Sequence, residues 1–232
     1  MALSHSPKIV TDGLVLCLDA ADPKSYSGSG TTWYDRSGNG YDATLQGTID
    51  FTSNHGGELN YGNNQIVDWV QLDGNAFSSI TTSHVWSLET VMRLDTITGT
   101  RYMHSMSKGG DSNFAIVQVN SSGTIHPYNE TKNSGSDAGF NTGEKFLFTI
   151  VHKSGSQDVY KNGVWVANYS AANDVSGGLN GWVLNQEQDG NLGGFSAVQN
   201  TPMGIYSVRL YNKSLTAEEV LQNYNAQKGR FS

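Results

Sequence analysis

The chain has 232 residues, enough for one sizeable β domain. Its net charge of −7 argues against a nucleic-acid partner, because phosphate backbones select a basic patch. Glycine is counted at 27, apolar residues at 37% and charged residues at only 15%, a composition suited to short strands joined by tight polar turns; the lone Cys17 excludes an intrachain disulfide framework.

The first ten residues, Met1 to Val10, lack the apolar h-region of a secretory signal and are expected to form an N-terminal arm before a single domain over 11–232. Such a chain is expected to be made in the cytoplasm without a recognisable signal peptide. The sequons at Asn120, Asn129, Asn168 and Asn212 are therefore taken as ordinary surface asparagines. No stretch approaches the ~18 apolar residues of a membrane span, so no membrane insertion is expected.

The run Leu14–Leu18 begins the strands, with Cys17 as a buried, inert thiol. Asp35, Ser37 and Asn39 make an oxygen series, but the closing bidentate Glu of an EF-hand loop is missing and the segment reads as a turn. Ile66–Leu72 follows. From His84 to Leu94, Trp86, Leu88, Thr90, Met92 and Leu94 share one face and Ser87, Glu89 and Arg93 the other, which predicts a strand facing a core on one side.

Further strands are predicted at Tyr102–Met106, Phe114–Val119, Phe146–His152, Val164–Tyr169, Trp182–Leu184 and Gly204–Tyr211. Asn162-Gly163, between Asp158–Lys161 and Val164–Val166, predicts a type I′ hairpin because both residues accept positive φ. Ser134–Gly139 and Asn173–Asn180 read as mobile loops. Near the end, Thr216 with Glu219 forms a capping box opening a packing helix over Ala217–Gln227. Many strands without intervening helical periodicity predict an all-β antiparallel jelly-roll sandwich with one short C-terminal helix.

The chemistry concentrates in Trp182 to Gly190, where Glu187 and Asp189 stand two residues apart at a strand exit, followed by Gly193-Gly194-Phe195 and Gln199. Two ionised carboxylates in one turn repel each other, and a cation removes that cost. Asp111 and Asn113 offer a second oxygen-rich pair that folding could bring alongside, and calcium takes six to eight oxygen ligands. The six histidines are scattered singly, which argues against zinc. Period-two placement sends most tryptophans to the core, leaving Trp69 and Tyr128, flanked by polar residues, as ligand-facing candidates.

Nucleophile and phosphate-loop signatures are absent from the sequence, as is the E-x-D-x-x-E strand of jelly-roll glycosidases. The chain is therefore read as a non-catalytic binding module. A polysaccharide hydrolase or lyase, with acids drawn from separate strands, is the remaining enzymatic alternative.

The segment from Leu184 to Tyr211, with NQEQD, GGF, Gln199 and MGIYSVRLYNKSLTAEEV, resembles the calcium-binding half of pentraxins and the broader laminin G-like, concanavalin A-like group. Gly13-Leu14-Val15-Leu16 and Trp33 to Gly40 resemble the opening of laminin G-like modules of bacteriophage and bacterial surface proteins. The resemblance implies side-chain calcium ligands at Glu187, Asp189 and Gln199 and a backbone-carbonyl ligand at Gln188, with Asp111 and Asn113 on the upstream loop. Ser196 stands where the family usually has a further Glu, so a second calcium is not implied. With the family's cysteine pair missing, a pentameric ring is not implied either. The implied role is calcium-assisted binding of a glycan or other surface ligand, on a virion or extracellular surface. The alternative is a capsid decoration, fibre or tail protein that contacts other virion proteins, and oligomers fit either role.

Overall fold

The computed structural model describes residues 7–53, 56–61, 67–78, 85–95, 97–107, 113–128, 130–171, 181–196 and 198–230, with backbone alone for 107 and 113–116. In chain order the strands are β1 (Leu14–Asp19), β2 (Thr32–Trp33), β3 (Ala43–Gln46), β4 (Asp50–Thr52), β5 (Glu58–Tyr61), β6 (Trp69–Leu72), β7 (Trp86–Leu94), β8 (Arg101–Ser107), β9 (Asn113–Val119), β10 (Thr124–Pro127), β11 (Thr131–Gly135), β12 (Ala138–Gly139), β13 (Lys145–Lys153), β14 (Ser156–Lys161), β15 (Val164–Ser170), β16 (Gly181–Leu184) and β17 (Met203–Tyr211). A one-turn helix α1 (Gly74–Ser78) follows β6, and α2 (Ala217–Gln227) follows β17.

The strands form two antiparallel sheets. The back sheet runs β11-β15-β14-β13-β7-β17-β5-β4, with β1 also on β17; the front sheet runs β12-β10-β9-β8-β16-β6-β3-β2. Strand β17 pairs with β7 on one side, and on the other with β5 through Met203–Ile205 and with β1 through Ser207–Tyr211. The expected all-β sandwich with a short C-terminal helix is what the chain forms.

Between the sheets lies one large apolar cluster containing Trp33, Trp86, Trp182, Phe77, Phe146 and Leu210. Phe77 of α1 packs edge-on against both Trp86 and Trp182, each at 5.2 Å. A polar link crosses this layer. Trp182 Nε1 donates to His104 Nδ1 at 3.3 Å, and because indole can only donate, the His104 proton sits on Nε2, which donates to Thr90 Oγ1 at 2.8 Å. Burial depresses the pKa of His104 to about 3, so the link is held by a neutral ring.

The reading of His84 to Leu94 as a strand with one core face needs correction, since within β7 Ser87 and Glu89 are fully buried too. Helix α2 roofs the outer face of the back sheet. Val220 packs with Val151, Tyr160 and Tyr211, while Asn223 Nδ2 donates to Glu89 Oε2 at 3.0 Å. The capping box forms as expected, with Thr216 Oγ1 accepting from Glu219 N–H and Glu219 Oε2 accepting from Thr216 N–H. The end of the predicted arm belongs to this roof, because Val10 is buried and its N–H reaches Asn223 Oδ1 at 2.7 Å.

Smaller expectations divide. Asn162 at φ 51° and Gly163 at φ 79° make the predicted I′ turn. Asp35 organises its loop, accepting from the N–H groups of Cys17 and Ser37 and from Ser37 Oγ. Cys17 is buried. The loop expected at Ser134–Gly139 instead contains the end of β11 and all of β12. Asn173–Asn180 lies outside the described residues.

Candidate functional site

Among the described residues, the outer face of the front sheet carries no helix like the one over the back sheet. Val70 and Leu72 of β6 point into the core, so period two turns Trp69 and Gln71 outward. Gln71 faces Thr44 of β3 across the ladder, and Gln46 stands opposite Trp69. Beside them opens a cavity of about 410 Å³ lined by Asp42, Thr44, Gln71, Leu72, Asp73, Gly74 and Asn75. Asp42 Oδ1 accepts the Asp35 N–H and Asp73 Oδ1 the Asn75 N–H, both at 2.8 Å. Each carboxylate is thereby fixed by the backbone through one oxygen. Hydroxyl, amide and carboxylate groups around the cavity, with an indole on the same strand, match the chemistry of a polyhydroxylated ligand.

The segment after β16 folds back over the same face. Asn185, at φ 73°, donates its N–H to Met103 O and its side chain to Asp68 O, which turns the chain along β8. Gln188 then lies over the sheet, its Nε2 on Ser105 O at 3.0 Å and its Oε1 accepting from Leu192 N–H at 2.8 Å. With its side chain committed inward, Gln188 has only its backbone to offer a ligand. Gly194 takes φ 73° and allows the loop to double against Asp189, whose Cβ would lie 2.7 Å from any Cβ added there. Phe195 then reaches the Trp69 ring, edge-on at 4.8 Å.

Glu187 is 9% exposed and its Oε2 accepts from Gln199 Nε2, whereas Gln199 Oε1 is buried without a partner. Tyr102 lies close enough for the Glu187 charge to act on it. Burial first, and that charge second, push the Tyr102 phenol up to about 12, so it stays a neutral donor. Its ring meets Tyr128 edge-on at 5.6 Å. Gln118, Tyr102's partner on β9, bonds His126 at 2.9 Å and extends the polar face.

The predicted residues can now be located. Glu187, Gln188 and Gln199 come together, Asp189 is exposed beside them, and Trp69 and Tyr128 are partly exposed at the same face. The backbone of Asn113 pairs with Ser107 at the end of the β8–β9 hairpin, the end toward which Gln188 is folded. Asp111 and the Asn113 side chain lie outside the described residues. Among the described residues no three His, Cys, Asp or Glu side chains are grouped to hold a metal. The donor set does fit a hard cation in part, because rotating the Gln199 amide would turn its unpartnered Oε1 toward Glu187 and make an oxygen pair.

Sequence reasoning missed Asp42, Thr44, Gln71, Asp73 and Asn75. The turn signal Asp73-Gly74-Asn75 was there to find, but only the β3–β6 pairing shows that it adjoins Asp42 and Thr44. Trp165 departs from the core expectation, being 44% exposed with Nε1 on Asp158 Oδ1 at 3.1 Å.

No protein-family model matches the sequence, and no curated protein does. Solved structures do. The sialidase of Trypanosoma rangeli, as a covalent intermediate with 2,3-difluorosialic acid, superposes with a TM-score of 0.67 at 13% identity over 95% of this chain and 34% of that one. A structure titled simply as that sialidase gives 0.65 at 16% identity, covering 99% and 36% of the two chains. The binding domain of Botulinum neurotoxin DC in complex with SialylT gives 0.62 at 13% identity, covering 93% and 52%. The chain thus spans about a third of the sialidases and about half of the neurotoxin chain, and at these identities the likeness is one of fold.

Proposed function

We propose that this chain is a non-catalytic glycan-binding module whose ligand lies across the outer face of the front sheet, with its rings on Trp69 and its hydroxyls in the neighbouring cavity. The observation that carries this is the placement of Trp69 and Gln71 on one face of β6, beside a cavity lined by Asp42, Thr44, Asp73 and Asn75. A planar apolar group next to fixed acceptors and amides suits a sugar, which has both apolar faces and hydroxyl edges. A structural neighbour solved with SialylT lends support from the same fold.

Glycan-array binding followed by calorimetry tests the proposal. Trp69→Ala should weaken the best ligand at least tenfold while leaving the circular dichroism spectrum unchanged, and undiminished binding by that variant would refute the site. Hydrolysis has one observation in its favour, two carboxylates, Asp42 and Asp73, lining one cavity. Reducing-end release by the unmodified chain, lost in Asp42→Asn and Asp73→Asn, would replace binding with catalysis.

Calcium is proposed as the cofactor that fixes the fold-back loop, held by Glu187, Asp189 and Gln199 side chains and the Gln188 carbonyl, with Asp111 and Asn113 joining from the β8–β9 connection. Supporting this is the Glu187–Gln199 contact on a loop directed toward that connection. The double variant Glu187→Ala/Asp189→Ala should lose calcium affinity at least tenfold in titrations of chelator-stripped protein; equal affinity would remove calcium from the proposal. Display of the module on a virion, in contact with other virion proteins, is the setting proposed from the bacteriophage resemblance.

A further inference from the structure

The outer face of the back sheet has a second cavity, of about 420 Å³, lined by Thr52, Glu58, Asn60, Arg93, Gly143, Lys145 and Tyr206. Its floor is a straight cross-strand row, in which Asn60 of β5 pairs with Gly204 of β17, Gly204 with Arg93 of β7, and Arg93 with Lys145 of β13. The row dips at Gly204. A Cβ there would stand 2.0 Å from Glu58 Oε1, so the glycine is required by space: it lets the Glu58 carboxylate lie across the strand.

That carboxylate is held rigidly. Glu58 is 3% exposed and accepts from Arg93 Nε and Nη2 through Oε1 and from the Tyr206 hydroxyl, at 2.7 Å, through Oε2. Arg93 Nη1 is also paired with Asp95. Lys145 Nζ stands over the Tyr206 ring, 5.6 Å from its centre, and donates to Arg230 O at 3.4 Å. Tyr206 is no nucleophile, because burial and the Glu58 contact both raise its pKa.

Burying such a network gives little stability relative to an apolar filling, so its presence at the floor of an open cavity points to recognition. Two carboxylates and two cations balance locally. An anionic ligand would meet the Glu58 carboxylate at the floor, with Arg93 already neutralised by Asp95 from outside the lining, a cationic one would meet Arg93 and Lys145, and an apolar one would strand fixed polar groups.

We propose that this cavity is a second ligand site, for a neutral, hydroxyl-rich molecule the size of a monosaccharide or disaccharide. Its hydroxyls donate to Glu58 and Asn60 and accept from Lys145 and Asn60. The site is on the sheet opposite Trp69 and stands or falls independently of the front face.

The test is a nuclear magnetic resonance titration of the full chain with glucose, galactose, mannose, N-acetylglucosamine, glucuronate and inorganic phosphate, following the amides of residues 58–60, 93, 145 and 204–206. At least one neutral sugar should give saturable shifts there, weakened tenfold or more by Asn60→Leu and by Lys145→Met and unaffected by Trp69→Ala. The proposal is overturned if no sugar saturates these amides, if only glucuronate or phosphate does, or if both cavity variants bind as the parent does. Should shifts appear only around Trp69, Gln71 and Asp73, the front face is supported and this cavity rejected.

Discussion

Glu89 shows how far a residue's meaning depends on what covers it. It stands in a row running from Cys17 through Arg209, Glu89 and Thr149 to Tyr160. Alternation marked this as a solvent-facing side, but α2 encloses it. Burial raises the Glu89 pKa to about 7, opposed by the charge of Arg209 and by the Asn223 hydrogen bond. The folded chain therefore binds this proton more tightly than the unfolded chain. Stability from the group is complete below about pH 4.5 and is lost as pH rises through 7, by about 3 kcal/mol for a shift of this size. His104 acts in the opposite sense. Its depressed pKa gives stability that is full above pH 6.5 and lost as pH falls toward 3. Thermal melts should show Glu89→Gln removing a fall in Tm that this carboxyl contributes between about pH 4.5 and 7; an unchanged slope there would show that the carboxyl does not titrate in that range.

At the scale of elements, legibility followed length and periodicity. Strands β7, β13 and β17, each of nine residues, announce themselves by alternation or continuous apolar character, as the I′ hairpin does by Asn162-Gly163. Strands β2, β3 and β4, of two to four residues within polar surroundings, are too short to establish a period. Strand β11 is exposed at every position and has no apolar face to reveal it. The cavity beside Gln71 stayed hidden for a related reason, because its residues come from segments joined only by the β3–β6 ladder. The acidic loop could be read, since Glu187, Gln188 and Asp189 are consecutive. Helix α2 carries its own start signal, so Thr216→Ala should lower unfolding stability by about 1 kcal/mol in denaturant titrations, with little change in the m-value.

For the whole molecule, the two outer faces of the sandwich differ in what covers them. The back sheet is roofed by α2 and the tail of the arm, while the front sheet keeps a broad polar surface crossed by the fold-back loop. Fold class followed from composition and spacing because both reflect the demand for many short strands. The convergence of Glu187, Gln199, Tyr102 and Tyr128 needed coordinates.

Strand β17, close to the end of this sequence, bridges β7 to β1 and β5. During synthesis the nascent polypeptide must wait for β17 itself to leave the ribosome before the back sheet can close. Until then β1 and β7 expose unsatisfied edges, and these are the surfaces that chaperones would shield and that a prematurely terminated product would present for aggregation.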